Sequence, residues 1–186
     1  ISQSLSDAGG GAIHCDGCSG VTLDGVLLEQ NLGSVGGAVH VANSSLDLVY
    51  SDFLDNIAND GGAIYYSGFS LSVVGGDFRR NDATGYGGAI ALRGSGTIES
   101  VVFEDNLAPF GLAVSVTNSA DLELKSSVVT DHRRDQFGAL YVDESLLTLD
   151  TCDISDNELG VEIESGPGQM LRSLFTTWGP PLNEKD

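Results

Sequence analysis

Basic residues are scarce in this sequence. Only 8 Lys and Arg side chains stand against 27 Asp and Glu, which gives a formal net charge of −19 at pH 7. Proteins that bind nucleic acid or anionic lipid surfaces draw much of their affinity from clustered cationic side chains. The charge balance therefore argues against both kinds of partner and favours a strongly hydrated, acidic exterior.

Proline and long apolar runs are also in short supply. The 4 Pro and 25 Gly residues follow neither the strict glycine period of collagen nor the composition of a disordered chain. No apolar segment approaches the roughly 20 residues that a membrane-spanning helix needs, so we expect a chain that does not span a membrane. The sequence starts at Ile1 without a recognisable secretory leader, which we interpret as the mark of a processed or excised chain.

Three cysteines permit one disulfide at most. Cys15 and Cys18 are close in sequence, whereas Cys152 lies far along the chain. A structural zinc site normally needs four ligands, and haem attachment needs a His after the second Cys. We favour a Cys15–Cys18 disulfide that pins a corner of the chain, which fits an oxidising environment. Free thiols and a redox or metal role remain the alternatives.

Repetition is what the sequence has in abundance. Two motifs recur about every 25 residues, a period typical of solenoid proteins. A Gly-Gly-Ala-aliphatic motif occupies residues 10–13, 36–39, 61–64 and 87–90, with degraded copies at 111–114 and 137–140. The second motif places an apolar residue three positions before an Asn. Its copies are Leu28/Asn31, Phe53/Asn56, Phe78/Asn81, Phe103/Asn106 and Ile154/Asn157, with Val129/His132 in the remaining slot.

Apolar and polar residues alternate between these motifs, for example at Leu46/Leu48 and Leu122/Leu124. A period of two is a strand pattern, and Gly and Asn suit the tight turns between strands. We predict roughly three strands per repeat, closing into an all-β, single-stranded parallel β-helix of about six to seven coils over residues 1–165.

Stacked coils bring equivalent side chains into columns. The Ala of each first motif is expected to point into the lumen, and the apolar residue of each second motif is expected to fill the core. The Asn side chains are expected to stack and bond to one another; the column comprises Asn31, Asn56, Asn81, Asn106 and Asn157. We interpret these columns as structural supports rather than as a binding site, with His132 as a substituted member of the Asn column.

Residues 166–186 break the repeat. Apolar residues recur there at helical spacing, ahead of a Gly-Pro-Pro sequence. They are Met170, Leu171, Leu174, Phe175 and Trp178. We predict a short cap helix or turn that covers the open strand edge of the last coil. The alternative is an anchor for a partner protein, in which Phe175 and Trp178 would be the main contacts.

Signals for catalysis are weak. Spacings between the motif Ala residues stay close to 25, so no long loop is inserted to build the walls of a cleft. Arg79-Arg80 and Arg133-Arg134 are expected to pair with nearby carboxylates, mainly Asp77, Asp82, Asp131 and Asp135. An acidic surface would also repel a polyuronate substrate. We therefore expect a non-catalytic chain, with a polysaccharide lyase or glycoside hydrolase as the alternative.

We expect no cofactor, and calcium is the one alternative. Clustered carboxylates could supply the oxygen ligands that Ca²⁺ prefers, either at Asp52, Asp55 and Asp60 or at Asp77 and Asp82. These residues do not follow the spacing of an EF-hand loop.

The combination of both motifs resembles the passenger domains of the chlamydial polymorphic outer-membrane proteins and, more widely, bacterial secreted β-helix repeat proteins. The resemblance covers roughly residues 8–163 and is clearest in the four Gly-Gly-Ala copies and in FLDN at 53–56, FRRN at 78–81 and FEDN at 103–106. It implies a right-handed parallel β-helix displayed outside the cytoplasm and acting in adhesion.

These observations together predict a secreted or cell-surface scaffold. Its expected partner is a protein or a surface glycan. A further alternative is an accessory structural subunit of a larger extracytoplasmic complex, docked through the C-terminal segment.

Overall fold

A computed structural model describes residues 1–132 and 137–165 of the chain. Within these residues the secondary structure is β-strand and turn, and 23 strands form four sheets. Every strand of a sheet pairs in parallel with the equivalent strand of the next repeat, as Ile64 does with Val39 on one side and with Ile90 on the other. The predicted all-β parallel β-helix is confirmed, with about six coils.

Each coil contributes one strand to the first, second and third sheets in that order, and the fourth sheet adds a short strand only up to residue 83. The first sheet contains β2 (Ile13–Asp16), β6 (Val39–Ala42), β10 (Ile64–Ser67), β14 (Ile90–Leu92), β17 (Val114–Val116), β20 (Gly138–Asp143) and β23 (Leu159–Ser165). The second contains β3 (Val21–Asp24), β7 (Ser45–Val49), β11 (Ser70–Val74), β15 (Gly96–Glu99), β18 (Asp121–Lys125) and β21 (Leu146–Asp150).

The third and fourth sheets complete the coil. The third sheet contains β4 (Leu27–Glu29), β8 (Asp52–Leu54), β12 (Asp77–Arg79), β16 (Val102–Glu104), β19 (Val128–Thr130) and β22 (Asp153–Ser155). The fourth contains β1 (Leu5–Ser6), β5 (Leu32–Gly33), β9 (Ile57–Ala58) and β13 (Asp82–Ala83). We number the coils 1 to 6, starting with β2, β6, β10, β14, β17 and β20.

The fourth sheet is an addition to the predicted three strands per repeat. Its strands are only two residues long and directly follow the Asn column, as β9 follows Asn56. Two residues are too few to show the alternation that marks a strand in sequence, because the pattern needs at least four positions to become visible. The sequence therefore indicated the corner but not the strand after it.

The lumen is filled by the side chains that the repeat places inward. Phe53 and Phe78 stack with ring centroids 4.6 Å apart, and Phe78 and Phe103 stack at 5.2 Å. All three are fully buried, as are the motif residues Ala38 and Ala63. Burial of this apolar ladder is the main stabilising contribution, at about 25 cal/mol for each Å² removed from water.

Bends with positive φ allow the coil to turn sharply. The first Gly of the Gly-Gly-Ala motif has φ +65° at Gly36 and +63° at Gly61. A Cβ at Gly36 would collide with the backbone carbonyl of Val39, so only glycine fits this position.

The residue before each Asn also has positive φ, for example +55° at Asp55 and +51° at Arg80. Non-glycine residues accept this conformation at some energetic cost. The hydrogen bonds of the Asn column oppose that cost at every coil.

Candidate functional site

The Asn column is a continuous hydrogen-bonded ladder in the interior, at the corner that follows the third sheet. Asn81 Oδ1 accepts from the backbone N and from Nδ2 of Asn56, at 3.1 and 3.0 Å. Asn81 Nδ2 donates to the backbone O of Phe53 at 2.9 Å and to Asn106 Oδ1 at 2.9 Å. Asn31, Asn56 and Asn81 are fully buried. Since their polar atoms bond inside the coil stack, these residues support the fold and are not accessible to a ligand.

His132 takes the Asn place between Asn106 and Asn157. Its Nδ1 lies 2.9 Å from Asn157 Oδ1, and its Nε2 lies 3.4 Å from Asn106 Nδ2. Asn106 can donate to Nε2 only if that nitrogen is unprotonated, so the ladder selects the neutral imidazole with its proton on Nδ1. Burial lowers the pKa of His132 to about 4. A buried ladder member with no access to solvent is a poor general base.

This histidine makes folding stability sensitive to pH. Its folded-state pKa of about 4 lies below the ordinary value near 6.5, so the unfolded chain binds the proton first. The contribution of His132 to the free energy of unfolding is complete above about pH 6.5 and is lost as the pH falls towards 4. About 2 kcal/mol of it is lost at pH 5. Urea unfolding at pH 7.5, 6 and 5 measures this loss.

The control is His132→Asn, which restores the column residue and cannot titrate. We expect the stability difference between the variant and the natural chain to shift by about 2 kcal/mol in favour of the variant between pH 7.5 and 5. A difference that stays constant across this range contradicts the role assigned to His132.

Cys15 and Cys18 are joined by a disulfide, and their Cα atoms lie 6.0 Å apart. The bond closes the turn between β2 and β3 in coil 1, next to the Ser44 hydroxyl, which lies 3.3 Å from Cys15 Sγ. Cys152 is free and buried, and its Sγ donates to the backbone O of Leu124 at 3.2 Å. Burial raises the pKa of the Cys152 thiol, so the thiolate that redox chemistry requires is disfavoured.

Reduction of this disulfide is expected to cost only about 2 kcal/mol of the free energy of unfolding, because the closed loop is very short. Urea unfolding with and without a phosphine reductant measures the loss. Cys18→Ser should be destabilised by a similar amount and be unaffected by the reductant, whereas Cys152→Ser should respond as the natural chain does. An unchanged unfolding midpoint under reductant contradicts this prediction.

Three of the carboxylates considered for calcium make contacts with protein groups. Asp52 Oδ1 accepts from the backbone N of Asp77 at 2.9 Å, and Asp55 pairs with Arg80 at 2.8 Å. Asp60 Oδ1 accepts from the backbone N of Tyr86 at 3.0 Å. Among residues 1–132 and 137–165, no group of three or more His, Cys, Asp or Glu side chains is placed to hold a metal ion.

The arginines of the third sheet pair along the stack. Arg79 contacts Asp77 at 2.9 Å and also Glu104 on the next coil. Arg80 bonds to Asp55 on the previous coil, and not to Asp82 as the sequence suggested. The reason is that side chains at equivalent positions of neighbouring coils face each other at about 4.8 Å. Arg133 and Arg134 lie outside the described residues.

The proposed partner anchor also lies outside the described residues. Its members are Met170, Leu171, Leu174, Phe175 and Trp178. The cap helix and the domain boundary after residue 165 therefore stay predictions.

One outward row of the first sheet is aromatic, and Arg93 lies beside it, directly after β14. The rings of His14 and His40 lie 4.7 Å apart, and those of His40 and Tyr65 lie 5.2 Å apart. The Arg93 guanidinium lies 5.2 Å from the centre of the Tyr65 ring, within the range of a cation–π contact. Burial, and then the neighbouring His14, lowers the pKa of His40. The row spans coils 1 to 3, with His14 exposed and His40 and Tyr65 half-buried.

An aliphatic row lies on the fourth sheet. Leu5 pairs in register with Leu32, and Leu32 with Ile57, and all three side chains are exposed. Outward apolar side chains at adjacent positions form a small continuous patch, which is a feature of protein interaction surfaces.

An open groove of about 410 Å³ lies on the outer side of the second sheet. Phe69 stands at its rim with 75% of the residue exposed. Leu146 also lines the groove, together with residues that carry hydroxyl and carboxylate groups. The remaining lining residues are Ser70, Leu71, Ser95, Gly96, Thr97, Asp121, Glu123 and Thr148.

A short corner in coil 4 creates this groove. The inward residues Tyr66, Leu92 and Val116 are in register, as are Val73, Ile98 and Leu124. Ile98 follows Leu92 by six positions, whereas Val73 follows Tyr66 by seven and Leu124 follows Val116 by eight. The corner of coil 4 is therefore recessed between the longer corners of coils 3 and 5.

Gly96 makes the recess possible. It occupies the column of inward residues that holds Leu71 on one side and Leu122 on the other. A Cβ at Gly96 would approach Leu71 Cβ to 2.6 Å, much closer than ordinary contact. Because Gly96 has no side chain, the corner can lie close to coil 3 and leave space outside.

The sequence contains a signal for this groove. Ala89 and Ala113 are 24 residues apart, the shortest interval in the column. A shortened coil implies a local depression between its neighbours. The exposed Phe69 and the outward Thr97, Glu123 and Thr148 become a site only when this depression places them together.

Comparison with known proteins supports the repeat assignment. The family model of the Chlamydia polymorphic membrane protein (Chlamydia_PMP) repeat matches residues 50–67. The matched segment contains one copy of each motif, Phe53/Asn56 and the Gly-Gly-Ala-Ile at 61–64. Curated proteins and solved structures gave no match.

By fold and by repeat, the chain is similar to the chlamydial polymorphic membrane proteins. No helix in the described part of the chain is long and apolar enough to cross a membrane.

Proposed function

We propose that this chain is a non-catalytic β-helix scaffold that acts outside the cytoplasm in adhesion or protein interaction. The observation that carries the proposal is that the buried residues of each repeat recur from coil to coil and the outward residues do not. Repeated residues such as Phe78 and Asn81 are buried in the stack, whereas the outward residues differ from coil to coil. A rigid rod with a varied surface is suited to presenting contacts.

Three outward features supply such contacts. They are the His14–Tyr65 row on the first sheet with the neighbouring Arg93, the Leu5–Ile57 row on the fourth sheet and the groove beside Phe69. The Leu5–Ile57 row and the groove are open to solvent and the aromatic row is partly exposed. Such surfaces suit reversible binding more than the water-excluding enclosure that catalysis favours. The repeat match and the Cys15–Cys18 disulfide support a place outside the cytoplasm.

Adhesion can be measured directly. Fluorescent beads that carry the folded chain are applied to epithelial cell monolayers and to immobilised matrix proteins, and retained beads are counted after washing. We expect retention several-fold above beads coated with an inert protein of similar negative charge, and competition by excess soluble chain. Retention equal to that of the charge-matched beads would contradict the proposal.

A glycoside hydrolase is the second candidate, because Asp121 and Glu123 both line the groove. They lie two positions apart on β18 and thus on the same side of any sugar chain in the groove. Hydrolysis normally uses two carboxyl groups that flank the scissile bond, so this arrangement favours binding. Release of new reducing ends from oligosaccharides, lost in both Asp121→Asn and Glu123→Gln, would favour the enzyme instead.

A further inference from the structure

We infer that the groove beside Phe69 is a binding site for an uncharged oligosaccharide. This inference deepens the proposed function and rests on it, because it names the ligand class that one surface of the scaffold would recognise. The volume of about 410 Å³ lies within the range of roughly 300–1,000 Å³ that is usual for ligand sites.

Phe69 supplies the apolar face that a sugar ring requires. It is the most exposed large hydrophobic residue among those that the structure describes. An aromatic ring left in water at the rim of a polar groove gains from covering by the C–H face of a pyranose, since its π-surface is electron-rich. It lies in the corner directly before β11 and lines the groove.

Hydroxyl and carboxylate groups supply the polar contacts. Thr97 is in register with Glu123, and Glu123 with Thr148, so three polar side chains follow one another along the rod at the strand spacing of about 4.8 Å. Carboxylates accept from sugar hydroxyls, and threonine hydroxyls both donate and accept. A regular row of this kind matches a ligand with regularly repeated hydroxyls.

The charge of the groove selects among sugars. Asp121 and Glu123 are the charged residues that line it, and Lys125 is engaged with Glu123 at 2.8 Å. The net charge of the chain is −19. Sulfated and uronic acid-containing glycans would be repelled, so an uncharged oligosaccharide fits best.

The test measures binding of defined sugars by NMR titration of the labelled chain. The panel contains trisaccharides of glucose in two linkages, a trisaccharide of N-acetylglucosamine and N-acetyllactosamine, with a heparin-derived tetrasaccharide as the acidic comparison. We expect at least one uncharged sugar to bind with a Kd below about 10 mM. We expect it to shift the resonances of Thr97, Glu123 and Thr148, and we expect the heparin fragment to have no such effect.

Matched variants identify the groove as the site. Phe69→Ala should weaken binding about tenfold or more, and Thr97→Val, which keeps the side-chain volume, should weaken it several-fold. Tyr50→Ala is the control, since Tyr50 is similarly exposed at 67% but lies outside the groove lining, and it should bind as the natural chain does. Thermal melts verify that each variant is folded.

Two results would overturn the inference. One is the absence of binding by every uncharged sugar of the panel at the highest concentration. The other is binding that Phe69→Ala and Thr97→Val leave unchanged. If beads still adhere to cells in either case, the adhesive function stands and only the assignment of the groove fails.

Discussion

Asn81→Ala is expected to lower the free energy of unfolding by about 3–5 kcal/mol, because it leaves several buried polar groups without a partner. The backbone N of Asn56 loses its acceptor, and Asn56 Nδ2 loses one of its two hydrogen-bond acceptors. The backbone O of Phe53 and Asn106 Oδ1 each lose a donor. All of these groups lie in the interior, where water cannot replace the missing contacts.

Urea unfolding followed by far-UV circular dichroism measures the change. Asn59→Ala is the matched control, since Asn59 is exposed and its amide O accepts only a 3.3 Å hydrogen bond from Thr84 Oγ1. We expect that control to remain within about 0.5 kcal/mol of the natural chain. Equal effects of the two substitutions would show that the ladder does not stabilise the coil stack.

Phe78→Ala is expected to cost a similar amount, about 3–5 kcal/mol. The ring is fully buried between Phe53 and Phe103, with centroid distances of 4.6 and 5.2 Å. Its removal opens a cavity in the middle of the lumen and ends both stacking contacts, each worth about 0.5–1.5 kcal/mol beyond the buried area. The rigid coils on either side cannot collapse into the space without breaking register.

The same unfolding experiment applies to this prediction. Phe69→Ala provides the comparison, because it removes the same ring from an exposed position and should change stability by no more than about 0.5 kcal/mol. Phe78→Leu should lose less than Phe78→Ala, since it fills part of the cavity. A Phe78→Ala variant as stable as Phe69→Ala would contradict the packing described for the lumen.

Much of the fold could be predicted from the sequence because each column of the β-helix requires the same type of residue in every coil. A Gly with positive φ, a small inward Ala, an inward Phe and a buried Asn recur at a fixed interval, and residues such as Gly61, Ala63, Phe78 and Asn81 can each be assigned from that interval alone. Periodicity reinforces a weak local signal several times over. The two-residue strands of the fourth sheet escaped because they are too short to show a period.

The surface was less predictable, since it depends on which coils are neighbours and on small differences in their length. Pairing of Arg80 with Asp55 instead of Asp82 follows from the register between coils, which acts across a full repeat. The groove depends on a corner shorter than those on both sides and on Gly96 in a Leu column. Neither feature is a motif, and both acquire meaning only when the coils are stacked.

The scarcity of basic residues and the repeated motifs by themselves determined an acidic, stacked-coil protein, because charge balance and side-chain period are properties of the chain. Only the tertiary structure decided which outward residues meet. Stacking in register brings together groups that lie about 25 residues apart in sequence, so Phe69, Thr97, Glu123 and Thr148 form one groove. The interior is predictable because every repeat places the same kinds of residue there, whereas the surface depends on the outward residues and corner lengths of individual coils.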